Sequence, residues 1–130
     1  MFQRGSAGND DMIADGQDGP DYIYQSGETG NDKSIADGGR GDDLVHINAG
    51  SGNVTITYTV SEGADQVFVD GGTGRDTLSV NALNQSFTVV DAQGQVLYQQ
   101  GTGASVITAR NAECITALGP GGEVLFQSGC

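Results

Sequence analysis

The sequence predicts an all-β protein, a solenoid of short stacked strands closed by a β-rich C-terminal cap. Three observations predict it. Glycines recur at a fixed interval over the first eighty residues, apolar residues alternate at period two after each of them, and β-forming segments continue beyond residue 82 where that interval stops.

The interval is eleven residues: Gly8, Gly19, Gly30, Gly41, Gly52, Gly63 and Gly74 mark seven repeats. Two residues after each stands Asp10, Asp21, Asp32, Asp43, Asp65 or Asp76, with Val54 as the exception. Three residues before each stands Gly5, Gly16, Gly27, Gly38 or Gly71, with Ala49 and Val60 as exceptions. Next come two positions of alternation. The first holds Met12, Ile23, Ser34, Val45, Ile56, Val67 or Leu78, and the second Ala14, Gln25, Ala36, Ile47, Tyr58, Val69 or Val80. Period-two alternation marks a strand with one buried face. Segments 54–58 and 66–69 carry the β-branched and aromatic residues that strands prefer. Each repeat is therefore a turn followed by a strand of about five residues. One unit cannot bury its apolar face alone, whereas stacked units can.

Composition narrows the function classes. The chain has 130 residues, with 22 Gly, only 2 Pro, no Trp and a formal charge of −12. Acidic residues crowd the repeats: twelve Asp with Glu28 and Glu62 face only Arg4, Lys33, Arg40 and Arg75. Such a surface repels nucleic acid and anionic membrane and attracts hard cations. No apolar run reaches the length of a membrane span, and residues 1–4 do not open a cleavable signal peptide. His46 is the single histidine and no C-x-x-C occurs, which argues against zinc. Cys114 and Cys130 can form a bridge or remain a buried thiol and a terminal one, and the second arrangement is the one expected.

Two segments carry a resemblance. Residues 38–46, GGRGDDLVH, and 71–79, GGTGRDTLS, fit G-G-x-G-x-D-x-U-x at every defined position. That pattern resembles the RTX (repeats-in-toxin, hemolysin-type) calcium-binding nonapeptide, over roughly residues 5–80. The resemblance implies a right-handed parallel β-roll with two repeats per coil and calcium between successive turns. The repeat here is longer by two residues, which preserves strand alternation and implies a wider, flatter roll.

The expected metal residues are Asp10, Asp21, Asp32, Asp43, Asp65 and Asp76, with Gly38, Gly41, Gly71 and Gly74 shaping the turns. Calcium takes six to eight oxygens from carboxylates and carbonyls, and glycine lets turn carbonyls converge on one point. With two repeats per coil, Asp21, Asp43 and Asp65 form one column, and Asp10, Asp32 and Asp76 form another that Val54 interrupts. Turn 49–53 lacks a carboxylate; in turn 60–63, Glu62 is a substitute oxygen. Asp15, Asp37 and Asp70 are candidate outer ligands. Because the ligands converge only in the stacked state, folding is expected to require metal.

The repeat roll spans 1–81 and the cap 82–130. Segments 86–90 and 95–98 form strands about a hairpin-like turn, followed by strands at 105–108, 113–118 and 123–126. They build either a cover or further coils, with Phe87, Tyr98, Ile115 and Phe126 as the cover of the last apolar layer.

No nucleophile–base pair or phosphate loop is present, so the chain is expected not to be an enzyme. The leading expectation is a calcium-dependent structural module of a secreted bacterial protein; type I export and an extracellular location follow from the resemblance alone. The alternatives are a carbohydrate-binding or adhesive module, using Thr55, Thr57, Thr59 and Gln66 against a polysaccharide or cell surface, and an accessory module of a larger secreted enzyme. Arg40-Gly41-Asp42 spells an adhesion triplet, but the repeat already accounts for it. Strand edges exposed near residues 1–10 predict end-to-end self-association.

Overall fold

A computed structural model of the chain describes residues 2–60, 62–82, 85–101 and 105–129. Among these, every regular element is a strand: β1 Phe2–Arg4, β2 Asp11–Asp15, β3 Tyr22–Ser26, β4 Lys33–Asp37, β5 Leu44–Asn48, β6 Thr55–Thr59, β7 Gln66–Asp70, β8 Thr77–Asn81, β9 Phe87–Val90, β10 Val96–Gln100, β11 Ser105–Arg110, β12 Cys114–Leu118 and β13 Val124–Ser128. The protein is a β-solenoid. Strands of odd-numbered and even-numbered repeats enter different sheets, one ordered β1-β3-β5-β7-β11-β9-β10 and the other β13-β12-β8-β6-β4-β2.

The register is the sequence period doubled. Ile23 pairs with Val45 and Val45 with Val67 in one sheet, while Ser34 pairs with Ile56 and Ile56 with Leu78 in the other. Residues 22 apart therefore lie one coil apart, as expected for two eleven-residue repeats per turn. Both alternating positions are buried throughout, including Gln25 and Ser34. Gln25 is accommodated by donating from Nε2 to Gln3 Oε1 at 2.7 Å and to the Ile35 carbonyl at 3.1 Å. Gln25 Oε1 and Ser34 Oγ are buried without a hydrogen-bond partner.

The turns stack as well as the strands. Gly19 and Gly41 donate to the carbonyls of Arg40 and Glu62 on one edge, and Gly30 and Gly52 to those of Ser51 and Thr73 on the other. Gly41 and Gly74 have φ of 117° and 109°, and a Cβ on either would strike the equivalent glycine of the preceding coil, Gly19 or Gly52. Left-handed φ and close backbone approach together require glycine there.

The C-terminal segment both continues the solenoid and ends it. After β8 the chain places β9 one rung too far, then forms the antiparallel β9–β10 hairpin. The vacant rung is filled by β11, which pairs in parallel with β7 and with β9. β12 then adds to β8 in parallel, and β13 turns back antiparallel upon it. Antiparallel β10 and β13, each with an irregular register, interrupt the parallel template. Phe87 and Ile115 are buried, and Tyr98 stacks on Phe126 at 5.4 Å over the top of the core. Cys114 is disulfide-bonded, which corrects its expected reading as a thiol; Cys130 lies outside the described residues.

Candidate cation-binding turns

Each strand from β2 to β8 is preceded by a turn whose last residue projects inward. At that position Asp32 and Asp43 are 3% exposed and Asp76 is fully buried. The six aspartates lie in two columns, and four of the carboxylates, those of Asp32, Asp43, Asp65 and Asp76, are first structural acceptors. Asp32 Oδ1 accepts the Asp10 amide at 2.9 Å, Asp43 Oδ1 that of Asp21 at 2.8 Å, Asp65 Oδ1 that of Asp43 at 3.0 Å, and Asp76 Oδ1 that of Val54 at 2.9 Å. The ladder runs on into the cap through residues that the glycine period does not reveal. The Asp65 amide donates to Ser105 Oγ at 3.1 Å and the Asp76 amide to Glu113 Oε2 at 2.8 Å.

The second carboxylate oxygen separates the turns into two kinds. Oδ2 of Asp10, Asp21, Asp32, Asp43 and Asp76 is buried and has no hydrogen-bond partner. Every one of these five turns begins with glycine: Gly5, Gly16, Gly27, Gly38 and Gly71. A Cβ on that glycine would point at the orphaned oxygen, 3.1 Å from Asp10 Oδ2 at Gly5, 2.9 Å from Asp21 Oδ2 at Gly16 and 2.7 Å from Asp76 Oδ2 at Gly71. At Gly27 it would lie 2.5 Å from Asp32 Oδ2 and 2.6 Å from the Ala49 carbonyl oxygen; the Gly27, Gly38 and Asn111 carbonyls stand likewise beside Gly5, Gly16 and Gly71. At Gly5, Gly16, Gly27 and Gly71 a carboxylate oxygen and a carbonyl oxygen of the next coil thus converge on the space that the absent side chain leaves, whereas the nearest atoms to Gly38 all belong to Asp43.

The other two turns begin with Ala49 and Val60, whose buried side chains occupy that space. The Ala49 turn ends in Val54 and offers no carboxylate. The Val60 turn ends in Asp65, but Tyr58 reaches across the core and donates its hydroxyl to Asp65 Oδ2 at 2.9 Å. Burial, with Asp65 beside it, pushes the Tyr58 phenol up from its ordinary range. Asp65 belongs to the column as expected, yet its second oxygen is already engaged by the protein.

Burial is also the main reason that Asp43 is pushed up to about 6, with the Asp65 and Asp21 carboxylates adding to the effect and the Asp21 amide opposing it. Asp76 rises for the same first reason, with Glu113 and Asp70 adding to it. Among the described residues no ion pair relieves this. The ion pairs among the described residues, Arg4 with Glu28 and Arg40 with Glu62, are exposed and engage none of the column aspartates.

The remaining expected ligands have other work. Asp15, Asp37 and Asp70 each accept the amide two residues on, from Gln17, Gly39 and Gly72, which closes the strand end as an Asx turn. Glu62 is a solvent-facing partner of Arg40. Outside the Asp columns a further ladder runs at the neighbouring turn position: Asn9 accepts from the Asn31 amide, Asn31 from Asn53 and Asn53 from Arg75. The Thr face is divided, since Thr55, Thr57 and Thr59 lie on β6 and Gln66 on β7 of the opposite sheet. Those four residues do not form one platform.

Among the described residues no three acidic, His or Cys side chains gather as a metal cluster. Any cation here would be held by one carboxylate of a turn and by backbone carbonyls. That donor set is all oxygen, and the orphaned Oδ2 atoms and glycine cradles fit a hard cation. Comparison with protein-family models, with curated proteins and with solved structures returns no match. No helix among the described residues is long and apolar enough to cross a membrane.

Proposed function

We propose that the protein is a calcium-binding structural module, in which the five glycine-led turns hold cations and the solenoid stacks upon them. The observation that carries this reading is the set of five buried, unpartnered carboxylate oxygens facing glycine cradles. An uncompensated buried charge costs several kcal/mol, and a bound divalent cation removes that cost. Asp10, Asp21, Asp32, Asp43 and Asp76 supply carboxylate oxygen, and the Gly27, Gly38, Ala49 and Asn111 carbonyls supply neutral oxygen. Bound calcium contributes charge neutralisation and a crosslink between coils; the chain contributes a preset oxygen lattice. The role is structural rather than catalytic.

Coupling to calcium supports a secreted protein. A chain short of cation bears stacked carboxylates and opens, while abundant extracellular calcium closes it. The disulfide at Cys114 agrees with an oxidising compartment.

The experiment is far-UV circular dichroism and calcium calorimetry on metal-stripped protein. The expected result is a weakly structured chain that becomes β-rich on adding calcium, with several ions bound. An equally β-rich spectrum in chelator, with no heat of calcium binding, overturns the reading.

A further inference from the structure

The outer face of the seven-stranded sheet carries a column of rings. Phe2, Tyr24, His46 and Phe68 occupy one register position on β1, β3, β5 and β7. Phe2 stacks on Tyr24 with centroids 4.9 Å apart and planes within 3°, and His46 stacks on Phe68 at 4.9 Å and 29°. These separations follow from the strand spacing of about 4.8 Å. The column stops at Phe68. The next residue in register is Thr108 on β11, too short to cover the ring, and Phe68 remains 40% exposed.

Beside that ring the sheet face opens into a cleft. Phe68, Thr108 and Ala92 of the β9–β10 turn help to line this cleft of about 430 Å³, which also extends along Tyr24 and His46. Two residues further along the strands, Asp70 and Arg110 are register partners and line the same cleft. Asp70 is fixed by accepting the Gly72 amide at 2.9 Å and Asn111 Nδ2 at 3.0 Å on Oδ1. Arg110 is exposed and, among the described residues, pairs with no carboxylate. The cleft therefore runs along the rings of Tyr24, His46 and Phe68 as its floor, with a rim that holds Asp70 as an acceptor and Arg110 as a donor.

We propose that this cleft binds a neutral pyranose unit of a glycan. The C–H face of the sugar lies on Phe68, in the place that the next ring of the column would take. Adjacent hydroxyls donate to Asp70 and accept from Arg110. A purely aromatic ligand would make no use of either rim group. An anion would meet Asp70 and the charge of −12, and a cation would meet Arg110. A flat ring carrying hydroxyls satisfies floor and rim together. The floor of the cleft lies at mid-strand on a sheet face, and none of the residues that line it is among the proposed cation ligands, so this proposal does not require an occupied cation site.

The test is a titration of the folded full chain in calcium-containing buffer with methyl glycosides of glucose, galactose and mannose and with cellotetraose, followed by amide NMR. The expected result is that at least one sugar shifts the Phe68, Thr108 and Arg110 amides. Phe68→Ala abolishes the response, and Arg110→Gln weakens it about tenfold. Thr108→Phe supplies the missing ring from the chain itself; it should end binding while leaving thermal stability equal or higher. Absence of shifts with all of these sugars, or binding that survives Thr108→Phe, overturns the proposal. Calcium calorimetry on the same variants is expected to be unchanged, which separates failure here from failure of the cation reading.

Discussion

Turns Gly38–Asp43 and Val60–Asp65 sit one above the other on the same edge, one coil apart, and both end in an aspartate whose Oδ1 accepts the amide of the coil before it. In the lower turn the first residue is glycine and Asp43 Oδ2 has no partner. In the upper turn the first residue is a buried valine, and Tyr58 caps Asp65 Oδ2. The same fold thus offers two solutions to one problem, the second oxygen of a buried carboxylate. One leaves a cradle for an external cation; the other fills the cradle and supplies an internal donor. The ladder of Oδ1 bonds is common to both, so an aspartate in register is by itself evidence of stacking rather than of a metal.

The comparison can be broken most severely by converting the first kind of turn toward the second without its compensation. Gly38→Ala puts a Cβ 2.5 Å from Asp43 Oδ2 and fills the cradle with no hydroxyl to replace the cation. We expect one fewer calcium bound, by calorimetry, and a loss of about 3 kcal/mol in urea unfolding with calcium present. An unchanged stoichiometry would show that the cradle is not the site.

Asp43→Asn keeps an oxygen for the Asp21 amide and removes the charge. It should stabilise the metal-free protein by about 2 kcal/mol while weakening calcium binding. The sign of the pH dependence follows from the same group. Asp43 is pushed up to about 6 in the fold, whereas in the unfolded chain it titrates near the usual carboxylate value of about 4. Folding therefore favours the protonated form. The metal-free solenoid has this contribution in full below about pH 4 and loses it as pH rises through about 6. Denaturant titrations in chelator across that range should show stability falling with pH, with a smaller fall in Asp43→Asn.

The smallest change sharpens the comparison from the other side. Tyr58→Phe removes the hydroxyl that caps Asp65 and leaves the ring in place. In chelator it should cost about 1 kcal/mol, the scale of a buried oxygen left unpaired, read from the urea midpoint. Because Val60 still fills the cradle, no calcium site should be gained. An added ion would mean that the hydroxyl alone, and not the glycine, decides occupancy.

Most of this edge chemistry was legible in the chain before folding. The eleven-residue interval places Asp10, Asp21, Asp32, Asp43, Asp65 and Asp76 at one turn position, and doubling it sorts them into the two columns observed. The exceptions Ala49, Val54 and Val60 already mark the turns that differ. The Asn9–Asn31–Asn53 ladder and the Phe2–Tyr24–His46–Phe68 column have a period of 22, which becomes visible only when residues two repeats apart are aligned. Ser105 and Glu113 left no such signal. They close the two columns from a segment with no Gly/Asp interval: Ser105 on β11, which fills the rung that β9 skipped, and Glu113 just before β12, which adds to β8.

The sequence by itself determined the local periodic features: turn, strand, inward face and coil length, because each depends on residues within one or two repeats. Only the tertiary structure decided what each carboxylate meets. Whether Asp65 Oδ2 finds Tyr58, whether Asp43 Oδ2 finds nothing, and where β11 enters the stack depend on contacts across the core and between coils. No pattern along the chain encodes those distances, and it is they that set the electrostatic cost which a bound cation would relieve.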